Sequence, residues 1–163
     1  MLRLFCLVVY LIDVGAVFTP DNGNVLRAAV ATCLNEANTG DCSTFAGTIW
    51  DGGSDVYGTI DSWDVSKITE LSFMFRWANS FNSDLSKWNV ERVTTLSQTF
   101  YGASKFTSDL SKWNVGKVEA LSQTFHSASS FNGDLSKWNV ERVTTLAATF
   151  FGASKFTSDL SKW

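Results

Sequence analysis

The residue types that could carry chemistry recur at fixed intervals in this chain. Asp84, Asp109, Asp134 and Asp159 are spaced by 25, and a row of carboxylates is what a hard cation such as calcium requires. The glycine-rich nonapeptide of calcium-binding β-helices is missing, so the spacing predicts instead that each Asp accepts hydrogen bonds from loop amides. His126 is the one histidine. It occupies the position that holds Arg76, Tyr101 and Phe151 in the other copies, a tolerant, half-exposed site with no Cys or Ser partner placed by the repeat. Thr99, Thr124 and Thr149 form one row per copy beside phenylalanine, too sparse for an ice-binding ladder. Trp63, Trp88, Trp113 and Trp138 could stack sugars, but each shares its side with a valine two residues on. Tryptophan in that register belongs to a core with its N–H satisfied. Trp50 and Trp77 lie off this row and are the candidates for exposed aromatics. No catalytic residue, metal site or cofactor is expected.

Eight apolar columns keep this 25-residue step. The Trp column continues to Trp163, with Val65, Val90, Val115 and Val140 two residues after its members. Ile68, Val93, Val118 and Val143 follow, then Leu71, Leu96, Leu121 and Leu146, then Phe75, Phe100, Phe125 and Phe150. Ala78, Ala103, Ala128 and Ala153 precede Phe81, Phe106, Phe131 and Phe156, and Ile60, Leu85, Leu110, Leu135 and Leu160 complete the unit. A 50-residue super-period overlies this: residues 81–113 match 131–163 except at Ser83/Gly133, Ser97/Ala147, Gln98/Ala148 and Tyr101/Phe151. Such repetition signals a stack, because one short unit cannot bury its own apolar face.

Within a unit, Trp88 and Val90 alternate with Lys87 and Asn89, as on a half-buried extended segment. Val93, Leu96 and Phe100 are then spaced by three and four, as on a short helix, which Gly102 or Gly152 can end. The expected fold is therefore α/β: a right-handed solenoid of strand and short-helix repeats, with Trp63, Trp88, Trp113, Trp138, Phe75, Phe100, Phe125 and Phe150 as its core. The outward face would carry a polar strip of Lys87, Asn89, Glu91, Lys112, Asn114, Lys137, Asn139 and Glu141. Such a strip reads either as a binding surface or as a solvated face. Coils about 4.8 Å apart would bring like-charged lysines into register, an effect that Glu91 and Glu141 offset.

The organisation divides into three. Residues 1–16 have a basic start, an apolar stretch at 4–12 and Val14-Gly15-Ala16, the pattern of a secretory leader. Read instead as a membrane helix, the stretch falls short of the ~20 residues that span a bilayer. Residues 17–59 form an amino-terminal cap, whose Leu26, Ala29, Val30, Cys33, Leu34 and Ala37 lie at helical spacing, with Asn24 as N-cap and Gly40 as terminator. Residues 60–163 are four repeats and a truncated fifth, so either the natural chain continues past Trp163 or a partner covers that end. With Cys6 in the leader, Cys33 and Cys42 remain as an even pair, linked in an oxidising compartment. The alternative is two free buried thiols in a cytosolic protein.

Of 163 residues, 45% are hydrophobic, and 13 Lys+Arg against 16 Asp+Glu leave a net charge of −3. That balance argues against nucleic acid, which attracts a basic face. No 18-residue uncharged apolar run occurs, so membrane contact is expected only by association or through an uncleaved leader.

The run Phe-Asn-x-Asp-Leu-Ser-Lys-Trp-Asn-Val-x-x-Val-Thr-x-Leu-x-x-x-Phe at 81–100 closely resembles the 25-residue surface-protein repeat of mycoplasma lipoproteins, BspA-like proteins and algal secreted proteins. The resemblance covers 60–163. Leu96, Leu121 and Leu146 stand where Met is common in that repeat, and Thr59 replaces Asp in the first unit. The family is distantly similar to leucine-rich repeats. The resemblance implies a non-enzymatic protein for surface display, adhesion or protein interaction, secreted, at the cell surface or in an organelle lumen, with a protein partner of unidentified kind. The alternative is a structural accessory subunit of a larger assembly, membrane-bound or in an organelle.

Overall fold

The computed structural model describes residues 18–36, 39 and 59–163. The leader at 1–16, Cys42, Gly40, Ala37 and Trp50 lie outside the described residues.

Helix α1, Gly23–Glu36, begins where Asn22 accepts the backbone N–H of Asn24 (3.0 Å) and Val25 (3.1 Å) on its side-chain oxygen. The N-cap is therefore Asn22, two residues before the position expected. A side-chain acceptor there satisfies amides that the helix itself leaves unpaired. Leu26, Ala29, Val30 and Cys33 are buried at spacings of three, one and three, which turns one apolar stripe onto the first coil. The other anchors are polar. Arg27 Nη2 donates to the Ser72 carbonyl at 2.9 Å, and Asp64 N donates to the Phe18 carbonyl at 2.9 Å. Phe18 meets Trp63 edge-on at 5.0 Å.

The remainder is a pile of 25-residue coils joined into one contiguous core with the helix. These coils are not the expected right-handed strand–helix solenoid of leucine-rich type. Apart from α1 and one 3-10 turn at Ile60–Ser62, the described residues contain no helix, and no strand. Pairing in the sheet sense is limited to single parallel bridges, Glu70 to Thr95, Thr95 to Ala120 and Ala120 to Thr145.

Successive reverse turns take the place of those elements. In the segment read as a helix, alternate amides do different things. Leu96, Gln98, Phe100 and Gly102 donate to the next coil, to the carbonyls of Ala120 (3.0 Å), Ser122 (3.0 Å), Thr124 (2.9 Å) and His126 (2.8 Å). Thr99, Tyr101 and Ala103, between them, bond back three residues to Leu96, Gln98 and Phe100. An α-helix would send each amide back four residues. The ribbon also contains two left-handed residues per coil, four positions apart: Phe73 and Trp77, Gln98 and Gly102, Gln123 and Ser127, and Ala148 and Gly152 all have positive φ. At Gly102 (φ +71°) the reason for glycine is double, since a Cβ there would stand 2.4 Å from Trp77 Cε3.

The segment read as a strand is also two turns. Trp88 N bonds back to Leu85 O (3.1 Å) and Val93 N to Val90 O (2.9 Å). These turns keep Trp88, Val90 and Val93 inside and leave Lys87 and Asn89 outside. Side chains tie this part of the coil to its neighbours. Trp88, Trp113, Trp138 and Trp163 donate their indole N–H to carbonyls 28 residues earlier, those of Ile60, Leu85, Leu110 and Leu135, at 2.9 to 3.1 Å. Ser108 Oγ accepts the Leu85 amide at 2.9 Å.

The dry interior is two phenylalanine columns and one of tryptophan. Phe75, Phe100, Phe125 and Phe150 stack at 5.5 to 5.7 Å, and Phe81, Phe106, Phe131 and Phe156 at 5.8 to 5.9 Å. Trp63, Trp88, Trp113, Trp138, Phe75, Phe100 and Phe125 are buried, whereas Phe150 in the last coil is half-buried and Leu146 is 48% exposed.

Candidate functional site

All eight residues of the expected strip, Lys87, Asn89, Glu91, Lys112, Asn114, Lys137, Asn139 and Glu141, are exposed on one side of the pile. The asparagines are also structural. Asn89 and Asn139 accept the amides of Glu91 (3.1 Å) and Glu141 (3.0 Å), and Asn114 that of Gly116 (3.2 Å). Each therefore closes a local turn that fixes where the neighbouring charges stand. A second cationic column that sequence reading passed over, Lys67, Arg92, Lys117 and Arg142, is exposed next to Glu91 and Glu141. Its signal is the same 25-residue step.

The Asp column sits three residues before the lysines and has the turn role expected of it. Asp84, Asp109, Asp134 and Asp159 accept the amides of Ser86, Ser111, Ser136 and Ser161 at 2.8 to 2.9 Å. For Asp84 and Asp109 the serine amide, then the serine hydroxyl, holds the carboxyl below its ordinary range, and the strip lysines add a smaller pull. Asp64 is lowered in the same way by Ser66. At Asp134 the Ser136 hydroxyl leads and its amide follows. Between two coils, Asn82, Asp84, Thr107, Asp109 and Lys112 line a shallow cleft of about 340 Å³. Within it Asn82 Oδ1 takes both the amide (2.7 Å) and the hydroxyl (3.0 Å) of Thr107, as Asn132 does with Thr157 one block later. Among the described residues no group of three or more His, Cys, Asp or Glu side chains is placed to hold a metal ion.

Thr99 and Thr124 are fully buried and Thr149 nearly so, so this row is not a surface ladder. Each hydroxyl lies between two carbonyl oxygens, one on its own coil and one on the preceding coil, as Thr124 does with Leu121 (2.8 Å) and Leu96 (3.0 Å).

The turn ribbon holds what the spacing did not show. Ser127 Oγ lies 2.9 Å from His126 Nδ1, a partner contributed by the adjacent residue. The imidazole is sandwiched between Tyr101 (4.4 Å, parallel) and Phe151 (5.0 Å), which makes it a stacking element of a row. Trp77, one of the two expected exposed aromatics, is 55% exposed. Cys33 is completely buried on α1.

Turn-built coils, a continuous aromatic interior and rows of like side chains on the outside define a stacked-repeat protein. Residues 44–163 match the family described as "Mycoplasma protein of unknown function, DUF285", and the chain belongs to that family. This agrees with the mycoplasma surface-protein repeat that the sequence resembles. No curated protein and no solved structure matches the chain.

Proposed function

We propose that this chain is a non-enzymatic repeat protein displayed at the cell surface, where it binds a protein partner through the polar strip. The observation that carries this reading is the arrangement of the strip itself. Lys87, Lys112 and Lys137 stand one per coil, between aspartates and asparagines that the turns hold in place. The turns fix the spacing of the aspartates and asparagines between which the lysines stand, and the strip's mixed signs favour one register of a partner over others.

A leader at residues 1–16 and a Cys33–Cys42 link belong to the same proposal. What supports the link is Cys33, which is completely buried on α1. In the described part of the chain no helix is long and apolar enough to cross a membrane.

The test combines surface protease accessibility on intact source cells with a pull-down. The bait is either the native chain or one carrying Lys87→Glu, Lys112→Glu and Lys137→Glu. Protection from protease on intact cells contradicts surface display, and equal capture by both baits contradicts the strip.

A further inference from the structure

The large apolar side chains that the described coils leave exposed are concentrated in the turn ribbon. Phe73 is 48% exposed, Trp77 55% and Phe151 68%. They are not scattered. Trp77 meets Tyr101 edge-on at 4.9 Å, Tyr101 stacks on His126 at 4.4 Å, and His126 stacks on Phe151 at 5.0 Å. One ring per coil makes a continuous ridge along the pile. Its rings brace one another and lose little freedom when something docks. The Arg76 guanidinium lies 5.3 Å from the Tyr101 ring centre and 5.9 Å from that of Phe73, so a cation is part of the ridge.

We propose that the ridge of Trp77, Tyr101, His126 and Phe151, with Arg76 and Lys105 beside it, binds an acidic peptide segment of a protein partner. Two features select that ligand. The first is charge. Residues 72–80, 97–105, 122–130 and 147–155, which build this flank, contain Arg76, Lys105, Lys155 and His126 and no Asp or Glu, in a chain whose net charge is −3. The second is ring orientation. Tyr101 and His126 are stacked face to face, so what they offer outward is ring edge, the positive rim of the aromatic quadrupole. Carboxylates suit such a rim together with the cations. Sugars and nucleobases need open ring faces, and at Tyr101 and His126, the centre of the ridge, the stacking has covered them.

A bilayer suits the flank less well. Gln98, Gln123, Ser127 and Ser130 are partly exposed along the ridge, and burying their polar groups in hydrocarbon without partners is costly. A peptide backbone supplies those partners. Tryptophan, tyrosine and arginine are also the residues that dominate the centres of protein interfaces. This surface is separate from the polar strip and does not depend on it.

The experiment is a fluorescence-anisotropy titration of the full chain with a fluorescein-labelled peptide of alternating Glu and Leu. A Lys/Leu peptide of equal length and vesicles with about 30% phosphatidylserine in phosphatidylcholine serve as rivals. The proposal predicts saturable binding of the Glu/Leu peptide in preference to both. Arg76→Glu with Lys105→Glu should weaken it at least ~10-fold, or about 1.4 kcal/mol. Phe151→Ser, at an open position that places no demand on the core, should also weaken it. Lys87→Glu with Lys112→Glu, on the strip, should leave it within about twofold, because exposed charges at a distance are screened. Lack of saturable binding, indifference to both ridge variants, or preference for the vesicles or the Lys/Leu peptide would overturn the proposal.

Discussion

Replacing Trp113 tests the interior most sharply, because three separate contacts converge on it. The indole is 3% exposed, stacks on Trp138 at 6.4 Å and leans on Phe100 at 6.2 Å, and its N–H donates to the Leu85 carbonyl of the preceding coil at 2.9 Å. Trp113→Ala removes the ring and leaves a cavity between two coils, at a cost of about 3–5 kcal/mol. Trp113→Phe keeps a six-membered ring but removes the donor and part of the indole's volume. It leaves the Leu85 carbonyl without its partner, for about 1–3 kcal/mol. Lys112→Ala, one residue away but facing water, should change stability by less than about 0.5 kcal/mol. Domains of this size are stable by roughly 5–15 kcal/mol, so the alanine variant should lose a large share of the total. Urea unfolding followed by fluorescence of the remaining indoles and by near-ultraviolet circular dichroism measures all three. The reasoning fails if Trp113→Ala is no worse than Lys112→Ala, or if Trp113→Phe matches the native chain.

Thr124→Val keeps the shape of a buried side chain but deletes the hydroxyl shared between Leu96 and Leu121. The expected loss is about 1–2 kcal/mol by the same urea assay, and a neutral result would remove the Thr column from the account. Asn22→Ala should destabilise the chain by about 1 kcal/mol in thermal unfolding, and Asn24→Ala by clearly less, because Asn22 is the N-cap; the reverse order would contradict the capping geometry. Asp64, Asp84 and Asp109 are held below their ordinary value of 3.8, so they bind protons less readily folded than unfolded. Their contribution is complete above about pH 5 and is lost as the pH falls below 3.8 toward their lowered native values. Unfolding midpoints taken from pH 6 down to pH 2.5 should therefore decline at the acid end, less steeply in Asp84→Asn with Asp109→Asn, and an unchanged slope in that variant would contradict this.

The inside and outside of each coil could be read from the residues, and the backbone that presents them could not. Trp88 and Val90 against Lys87 and Asn89 alternate in two return turns as they would in a strand. Val93, Leu96 and Phe100 face inward in a ribbon of turns as they would in a helix, since a turn that closes three residues back reproduces nearly the same apolar spacing. What separates the two is a pair of left-handed residues four positions apart in each coil. Gly102 carries that signal but doubles as a helix terminator, and Gln98 and Gln123 carry no signal, glutamine having no preference for positive φ. The Asp turns were legible because the glycine-rich nonapeptide of calcium-binding coils is missing, which left the turn role that aspartate performs well. The aromatic ridge was half legible. Trp77 stands off the Trp column and His126 occupies a variable position, but their contact through Tyr101 depends on steps of 24 and 25 residues, which only the stacking of coils reveals.

Successive coils are hydrogen-bonded into one body. Amide hydrogen exchange resolved by NMR addresses this directly through Leu96, Gln98, Phe100 and Gly102, whose N–H groups cross to the next coil. The account predicts that these four exchange together, slowly, at rates close to those of global unfolding, while the exposed-loop amides of Lys87 and Asn89 exchange fast. Exchange of the four as rapid as that of Lys87 would mean that the coils do not stack as described.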